Sequence, residues 1–190
     1  MRKIVHATQN GNAYRNDCGP ACIAMLASAY TGRDVTIAQV VKALNNANQF
    51  TTIAQLVSGL STFGVKAAST REATWFCYQQ RLDVGTPVIA LVDYAAYSVN
   101  PTNYNYAHFL IIAAYTNTKA IVFDPLRNSG PAEIPLNEFI DSINRPSAYV
   151  GGFNYPNQAV YPIVPAVAPI PLFANAIDAI ASRVRLEATG

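Results

Sequence analysis

Residues 9–26 read QNGNAYRNDCGPACIAML, and the change of character inside this stretch decides the fold. Gln9 to Asp17 is polar and turn-forming. From Cys18 to Tyr30 the chain turns to Ala, Ile, Leu and Met, a helix-forming run. Asp17 suits the N-cap, and Pro20 falls in the first turn, where a missing N–H costs little. Cys18 therefore stands at a helix N-terminus, where unpaired amides and a partial positive charge favour a thiolate. Gly19 beside it leaves the backbone open to close approach by a substrate carbonyl. The bland alternative for Cys18 is a small buried hydrophobe, the usual state of a free cysteine.

Upstream, residues 3–8 alternate weakly and read as a short strand. Downstream, residues 36–46 (TIAQVVKALNN) form a helix capped by Thr36, with Ile37, Val40, Val41 and Leu44 on one face. A third helix starts at Thr52, turns Ile53, Leu56, Val57 and Leu60 to one side, and stops before Gly64. The register then changes. A short strand is expected at 65–68, a helix at 72–82 and a buried strand at 88–92. Residues 94–106, rich in Tyr and Asn without periodicity, read as a loop suited to one wall of a substrate groove. HFLIIAAY at 108–115 and AIVFDP at 120–125, separated by Asn117-Thr118, read as a β-hairpin. A short helix at 136–143 and a strand at 147–153 complete a domain spanning 1–155.

Helices come first and antiparallel strands follow, so the fold class is α+β, without alternating βαβ units. From Pro156 to Pro171 five prolines make the chain extended and semi-rigid. A terminal helix at 172–186 then sets Phe173, Ile177, Ile180 and Val184 on one face. This 156–190 extension suits docking on its own domain, on a neighbouring subunit or on a larger assembly.

Composition narrows the function. Of the 190 residues, 51% are hydrophobic and 13% charged, enough apolar material for a substantial core. The formal net charge is +2 with Lys and Arg scattered, which argues against a nucleic-acid surface. The apolar run at Phe109–Ala114 is far too short to span a bilayer, so no membrane insertion is expected. The first residues carry two positive charges with no apolar stretch behind them, unlike a signal peptide, which suggests a cytoplasmic protein or one released with a phage particle. Three cysteines do not form a disulfide framework. Cys18 and Cys22 lie one helical turn apart, but no Cys/His pair at ligand spacing accompanies them, so no metal is expected. Cys22 and Cys77 read as packing residues.

A nucleophilic cysteine needs an imidazole distant in sequence and near in space. Of the two histidines, His108 enters a buried strand from a polar loop, so its ring is able to face a cleft; a half-buried ring bonded to a carbonyl is the alternative. His6, with no carboxylate suggested nearby, reads as structural. Asp124 ends the strand that pairs with the His108 strand, where it could orient the imidazole or simply end the strand in an Asp-Pro turn. An oxyanion hole would combine the Cys18 N–H with a side-chain donor. Gln9 is the natural candidate, with Asn10, Asn12 and Asn16 as competitors.

The segment 9–26, followed by AHFLIIAAY and IVFDP, resembles the bacteriocin-processing, double-glycine leader peptidases and their stand-alone relatives, family thirty-nine of the papain-like cysteine peptidases. The resemblance covers roughly residues 3–153 and rests most on DCGPAC. It implies a papain-like fold with Cys18 as nucleophile, His108 as general base, Asp124 orienting the ring and Gln9 donating to the oxyanion. It implies a peptide or protein substrate, cleavage through a thioester and no cofactor. The sequence lacks a membrane-spanning region and the phosphate-binding loop of the family's export transporters, so leader specificity does not carry over. Cleavage of cell-wall or other amides, acyl transfer, and a non-catalytic role in a larger assembly are the rival readings.

Overall fold

Capping fixes the starts of two N-terminal helices. Thr36 and Thr52 each accept from the backbone N–H of the third helical residue, Gln39 and Gln55, whose side chains return to the cap amides. The computed structural model describes residues 3–71, 73–98, 100, 106–145 and 157–163. In it α1 spans Cys18–Thr31, α2 Ile37–Leu44 and α3 Ile53–Thr62, followed by α4 at Trp75–Leu82 and α5 at Leu136–Asn144. α1 ends on Gly32, whose left-handed φ of 70° closes the helix through its N–H to the Ser28 carbonyl. Residues 19–27 of α1 are all buried, which fits a helix apolar all round.

Among the described residues, six strands form one sheet: β1 (Ala67–Thr70), β2 (Val88–Asp93), β3 (Ala107–Tyr115), β4 (Lys119–Phe123), β5 (Ala132–Pro135) and β6 (Ala159–Pro162). Their order is β1-β6-β2-β3-β4-β5, with every neighbouring pair antiparallel. Alternation along the strands divides the core in two. Ile89, Leu91, Phe109 and Ile111 pack with α1 and α3. Val88, Ala90, Leu110 and Ile112 pack with Tyr78 and Leu82 of α4 and with Phe139 and Ile143 of α5. The sheet is covered on both faces, and this explains why β3 reads as an unbroken apolar run.

The α+β expectation and the hairpin of β3 with β4 hold. Residues 3–8, expected as a strand, form none; their polar groups bond to the chain after β4, through His6 Nε2–H to the Arg127 carbonyl at 2.8 Å and Thr8 Oγ1–H to the Pro125 carbonyl at 3.2 Å. The strand expected at 147–153 and the helix at 172–186 lie outside the described residues. β6 falls in the stretch read from its prolines as a semi-rigid extension. Its only proline in the ladder, Pro162, is the last residue, opposite Ala67. The sheet thus continues past residue 155, between β1 and β2.

Candidate active site

Three elements converge at one end of the sheet: the N-terminus of α1, the start of β3 and the end of β4. Cys18 is the first residue of α1. The first intrahelical bond runs from the Ala21 N–H to the Asp17 carbonyl at 2.9 Å, so the amides of Cys18 and Gly19 have no carbonyl within the helix to meet. Cys18 is partly exposed and lines a cavity of about 90 Å³ together with Gln9 and Asn16.

His108, the second residue of β3, lies opposite Val92 of β2. Its ring is buried, and Nε2–H donates to Asp124 Oδ1 at 2.9 Å. With Nε2 committed to Asp124, Nδ1 is the nitrogen left for Cys18, whose interaction with the ring is among the causes that raise the imidazole pKa. Burial alone pulls the imidazole pKa down, but the bonds to Asp124 and Cys18 and their charges outweigh it and raise the pKa to about 9.

Asp124 follows β4 directly and is fully buried. It also accepts from the Tyr94 hydroxyl on Oδ2 and from the Leu126 N–H on Oδ1 at 2.9 Å, while Arg127 Nε lies 3.3 Å from Oδ2. Burial pushes its carboxyl up; the His108 bond and charge, then the Tyr94 and Leu126 bonds, overcome that and hold its pKa at about 2. A charged imidazolium–carboxylate pair is the state these partners favour.

Gln9 is fastened by its backbone N–H to the Pro125 carbonyl at 2.9 Å, one residue beyond Asp124, and lines the cavity with Cys18. Its competitors have other work. Asn10 donates to the Leu126 carbonyl at 2.7 Å and to Asn128 at 3.0 Å, and Asn12 donates to Asp17. Asn16 lines the cavity but donates to the Asn48 carbonyl at 3.3 Å. Gln9, Cys18, His108 and Asp124 are thus gathered in one place. His6, by contrast, stacks on Phe123, with ring centroids 6.4 Å apart, as a structural histidine would.

One detail differs from expectation. Asp17 is the N-cap residue but its side chain does not cap; it turns inward, 2% exposed, to take the Asn12 bond. Burial pushes the Asp17 carboxyl up, against the Asn12 bond and the charge of His108. A Cβ on Gly19 would lie 2.5 Å from that of Thr51. That space is filled by a neighbouring side chain, so packing against Thr51 requires glycine here. None of the described residues of 94–106 lines the cavity beside Cys18. Tyr94 instead turns in, its ring edge-on to His108 at 5.0 Å. Sequence reading missed Tyr94 because its role depends on the β2–β3 register, which local pattern does not reveal.

The remaining cysteines pack. Cys22 is buried in the α1 core, where burial pushes its thiol well above its ordinary value. Cys77 packs at the edge of the second core, 3.6 Å from Thr74 Oγ1. Among the described residues no group of three or more His, Cys, Asp or Glu could hold a metal ion, and no helix is long and apolar enough to cross a membrane.

An α+β fold with a cysteine at the head of a buried helix and a histidine–carboxylate pair on adjoining strands defines a papain-like cysteine peptidase. The Peptidase C39 family model matches residues 8–143, and the chain belongs to that family. Among solved structures, it is similar to the peptidase domain of Streptococcus ComA, a bi-functional ABC transporter involved in a quorum-sensing pathway. The identity is 16% and the TM-score 0.60, covering 86% of this chain and all of that one. A C39-like peptidase from Bacillus anthracis gives 13% identity and a TM-score of 0.62, with 86% of this chain and 96% of that one covered. A double-glycine motif protease from an AMS/PCAT transporter, solved with its leader peptide, gives 16% and 0.55, with 86% and 94% covered. No curated protein matches the sequence.

Proposed function

We propose that this cysteine peptidase cleaves a peptide or isopeptide bond through a thioester acyl-enzyme, with Cys18 as nucleophile. The observation that carries the proposal is the buried, hydrogen-bonded His108–Asp124 pair, with Cys18 interacting with the imidazole and lining a cavity. Cys18 Sγ attacks the carbonyl carbon while His108 Nδ1 holds the thiol proton. Negative charge on the carbonyl oxygen is met by the Cys18 N–H and the Gln9 side-chain amide. Collapse of the tetrahedral adduct breaks the C–N bond, and His108 delivers its proton to the departing amine. A water then gives a proton to His108 and attacks the thioester, releasing the acid and restoring the thiol. Asp124 keeps Nε2 protonated and Nδ1 aimed at sulfur throughout. The leader peptide bound by the AMS/PCAT relative supports a peptide as substrate.

The test is mass-spectrometric labelling with iodoacetamide across pH, on the native chain and on His108→Ala. Fast labelling confined to Cys18 below pH 7, lost in the variant, is the expected result. Equal labelling of Cys18, Cys22 and Cys77 would replace the enzyme reading with that of a binding scaffold.

A further inference from the structure

The residues before α1 and those joining α1 to α2 enclose a groove of about 590 Å³. Val5, Ala24, Met25, Val35 and Ile37 supply apolar parts of its lining. Gln9, Cys18, His108 and Asp124 are not among the lining residues, so the groove is separate from the active site. Val5 is 72% exposed. An exposed valine alone means little, but beside this apolar lining it marks a surface that gains by being covered. The charged lining residues Lys3, Arg33 and Asp34 are all exposed, so an apolar occupant need not strip their water. Along α1 the groove runs from Ala24 to Gly32, a rise of roughly 12 Å, about two helical turns.

Ile163, the last described residue, is anchored close to this groove. Arg33, from the lining, donates through Nη2 to the Phe63 carbonyl at 2.7 Å. The Lys66 carbonyl accepts from the Ile163 N–H at 2.8 Å, and three chain steps keep Lys66 within about 11 Å of Phe63. After Ile163 come Pro165, Pro169 and Pro171, then 172–186, where Phe173, Ile177, Ile180 and Val184 recur at helical spacing. The proline-rich chain from Ile163 to Phe173 reaches about 30 Å, ample to bring Phe173 to the groove. As a helix, Phe173 to Ile180 rises roughly 10 Å, which matches the length of the groove along α1.

We infer that the groove is the docking site for this chain's own segment 172–186, held as a helix with Phe173, Ile177 and Ile180 turned into it. Tethering decides the occupant. A segment on so short a link has an effective concentration in roughly the millimolar range, above that of a second copy or a separate partner. Thr8, Asn12 and Tyr14, from the loop that carries Gln9, also line the groove, so the docked segment braces that loop.

The test is hydrogen–deuterium exchange of the full chain, read by mass spectrometry, with Val5→Asp and Ile177→Asp putting a charge on either side of the contact. Val5 is exposed, so its substitution leaves the core alone. In the native chain the amides of 172–186 should exchange at least about tenfold slower than an unstructured chain. Each variant should abolish that protection. Ile177→Asp should also speed exchange at 3–14 and 33–38 while β3 stays unchanged. Cys18 should label with iodoacetamide at the native rate in both variants, since the groove is separate from the thiol. Exchange of 172–186 at the unstructured rate in the native chain overturns the proposal and leaves the peptidase reading standing. Protection that Val5→Asp leaves intact overturns it too, because the segment then docks elsewhere. So does protection that falls on dilution as a dimer dissociates in size-exclusion chromatography, which would make the occupant a second copy's segment.

Discussion

Asp124 accepts from His108, Tyr94 and Leu126 and lies beside the Arg127 guanidinium, more partners than orienting one imidazole requires. The surplus compensates for burial, which by itself would favour the neutral acid. His108 and Asp124 titrate as a coupled pair. Activity is expected to rise as Asp124 ionises, to stay level through neutrality, and to fall as His108 loses its proton near pH 9. Tyr94→Phe removes one donor to the ionised carboxylate, a contribution of about 1.5–3 kcal/mol. The acid limb of kcat/KM should then move up by about one to two pH units with Cys18 still labelled. An unmoved acid limb in the pH–rate profile would reduce Tyr94 to packing. At the other end of the site, Asn12 is the side-chain donor to the buried Asp17. Asn12→Ala leaves that carboxylate without its donor and should lower stability by about 1–3 kcal/mol, read as a shifted urea midpoint.

At the scale of elements, the four residues after β4 form a hub. Asp124 holds His108, and the carbonyls of Pro125, Leu126 and Arg127 accept from Gln9 and Thr8, from Asn10, and from His6 in turn. One short turn therefore ties the base to the loop carrying the proposed oxyanion donor. Loosening that loop with Thr8→Ala and Asn10→Ala together should lower kcat by about tenfold through a misplaced Gln9. KM and iodoacetamide labelling of Cys18 should change little, because the thiol and its base stay in place. If labelling falls in step with kcat, the loop supports the thiol and the Gln9 assignment fails. Local chemistry made α1, α2 and α3 legible in sequence, since the Ala- and Leu-rich run after Asp17 is helix-forming, Thr36 and Thr52 announce their own caps, and Gly64 lies just past the end of α3. β6 was hidden for the opposite reason. Its four residues lie in a proline-rich stretch, and its ladder with β1 joins positions about ninety apart, such as Ala67 and Pro162. Cys18, His108 and Asp124 could be named because each stands at an element boundary. Thr51 against Gly19 and Tyr94 against Asp124 are tertiary contacts that no sequence window contains.

For the whole molecule, the His108–Asp124 pair sits where two helical layers clasp the sheet, so its charge state is coupled to folding. The folded pKa of Asp124, about 2, lies below its ordinary 3.8; its stabilisation is present above about pH 3.8 and lost as pH falls toward 2. The folded pKa of His108, about 9, lies above its ordinary 6.5; its stabilisation is complete below about pH 6.5 and lost as pH rises through 9. Asp17, with its pKa raised by burial, acts in the opposite sense to Asp124, favouring the folded state at low pH and less so as it ionises. The buried Cys22 thiol, raised well above its ordinary value, adds to the alkaline loss, because unfolding frees it to ionise. The pair's own contribution is therefore complete between about pH 3.8 and 6.5 and smaller on either side. Asp124→Asn keeps the shape but removes the charge opposite a buried ring, which should cost about 3–5 kcal/mol near neutrality. It should also flatten the decline toward pH 9, since His108 loses one of the two partners that held its proton, leaving the smaller slope due to Cys18's hold on His108 and to Cys22. Thermal melts of the full chain and of Asp124→Asn from pH 3 to 10 decide the matter. An unchanged pH dependence in the variant would mean that the pair is positioned for chemistry without being coupled to the fold.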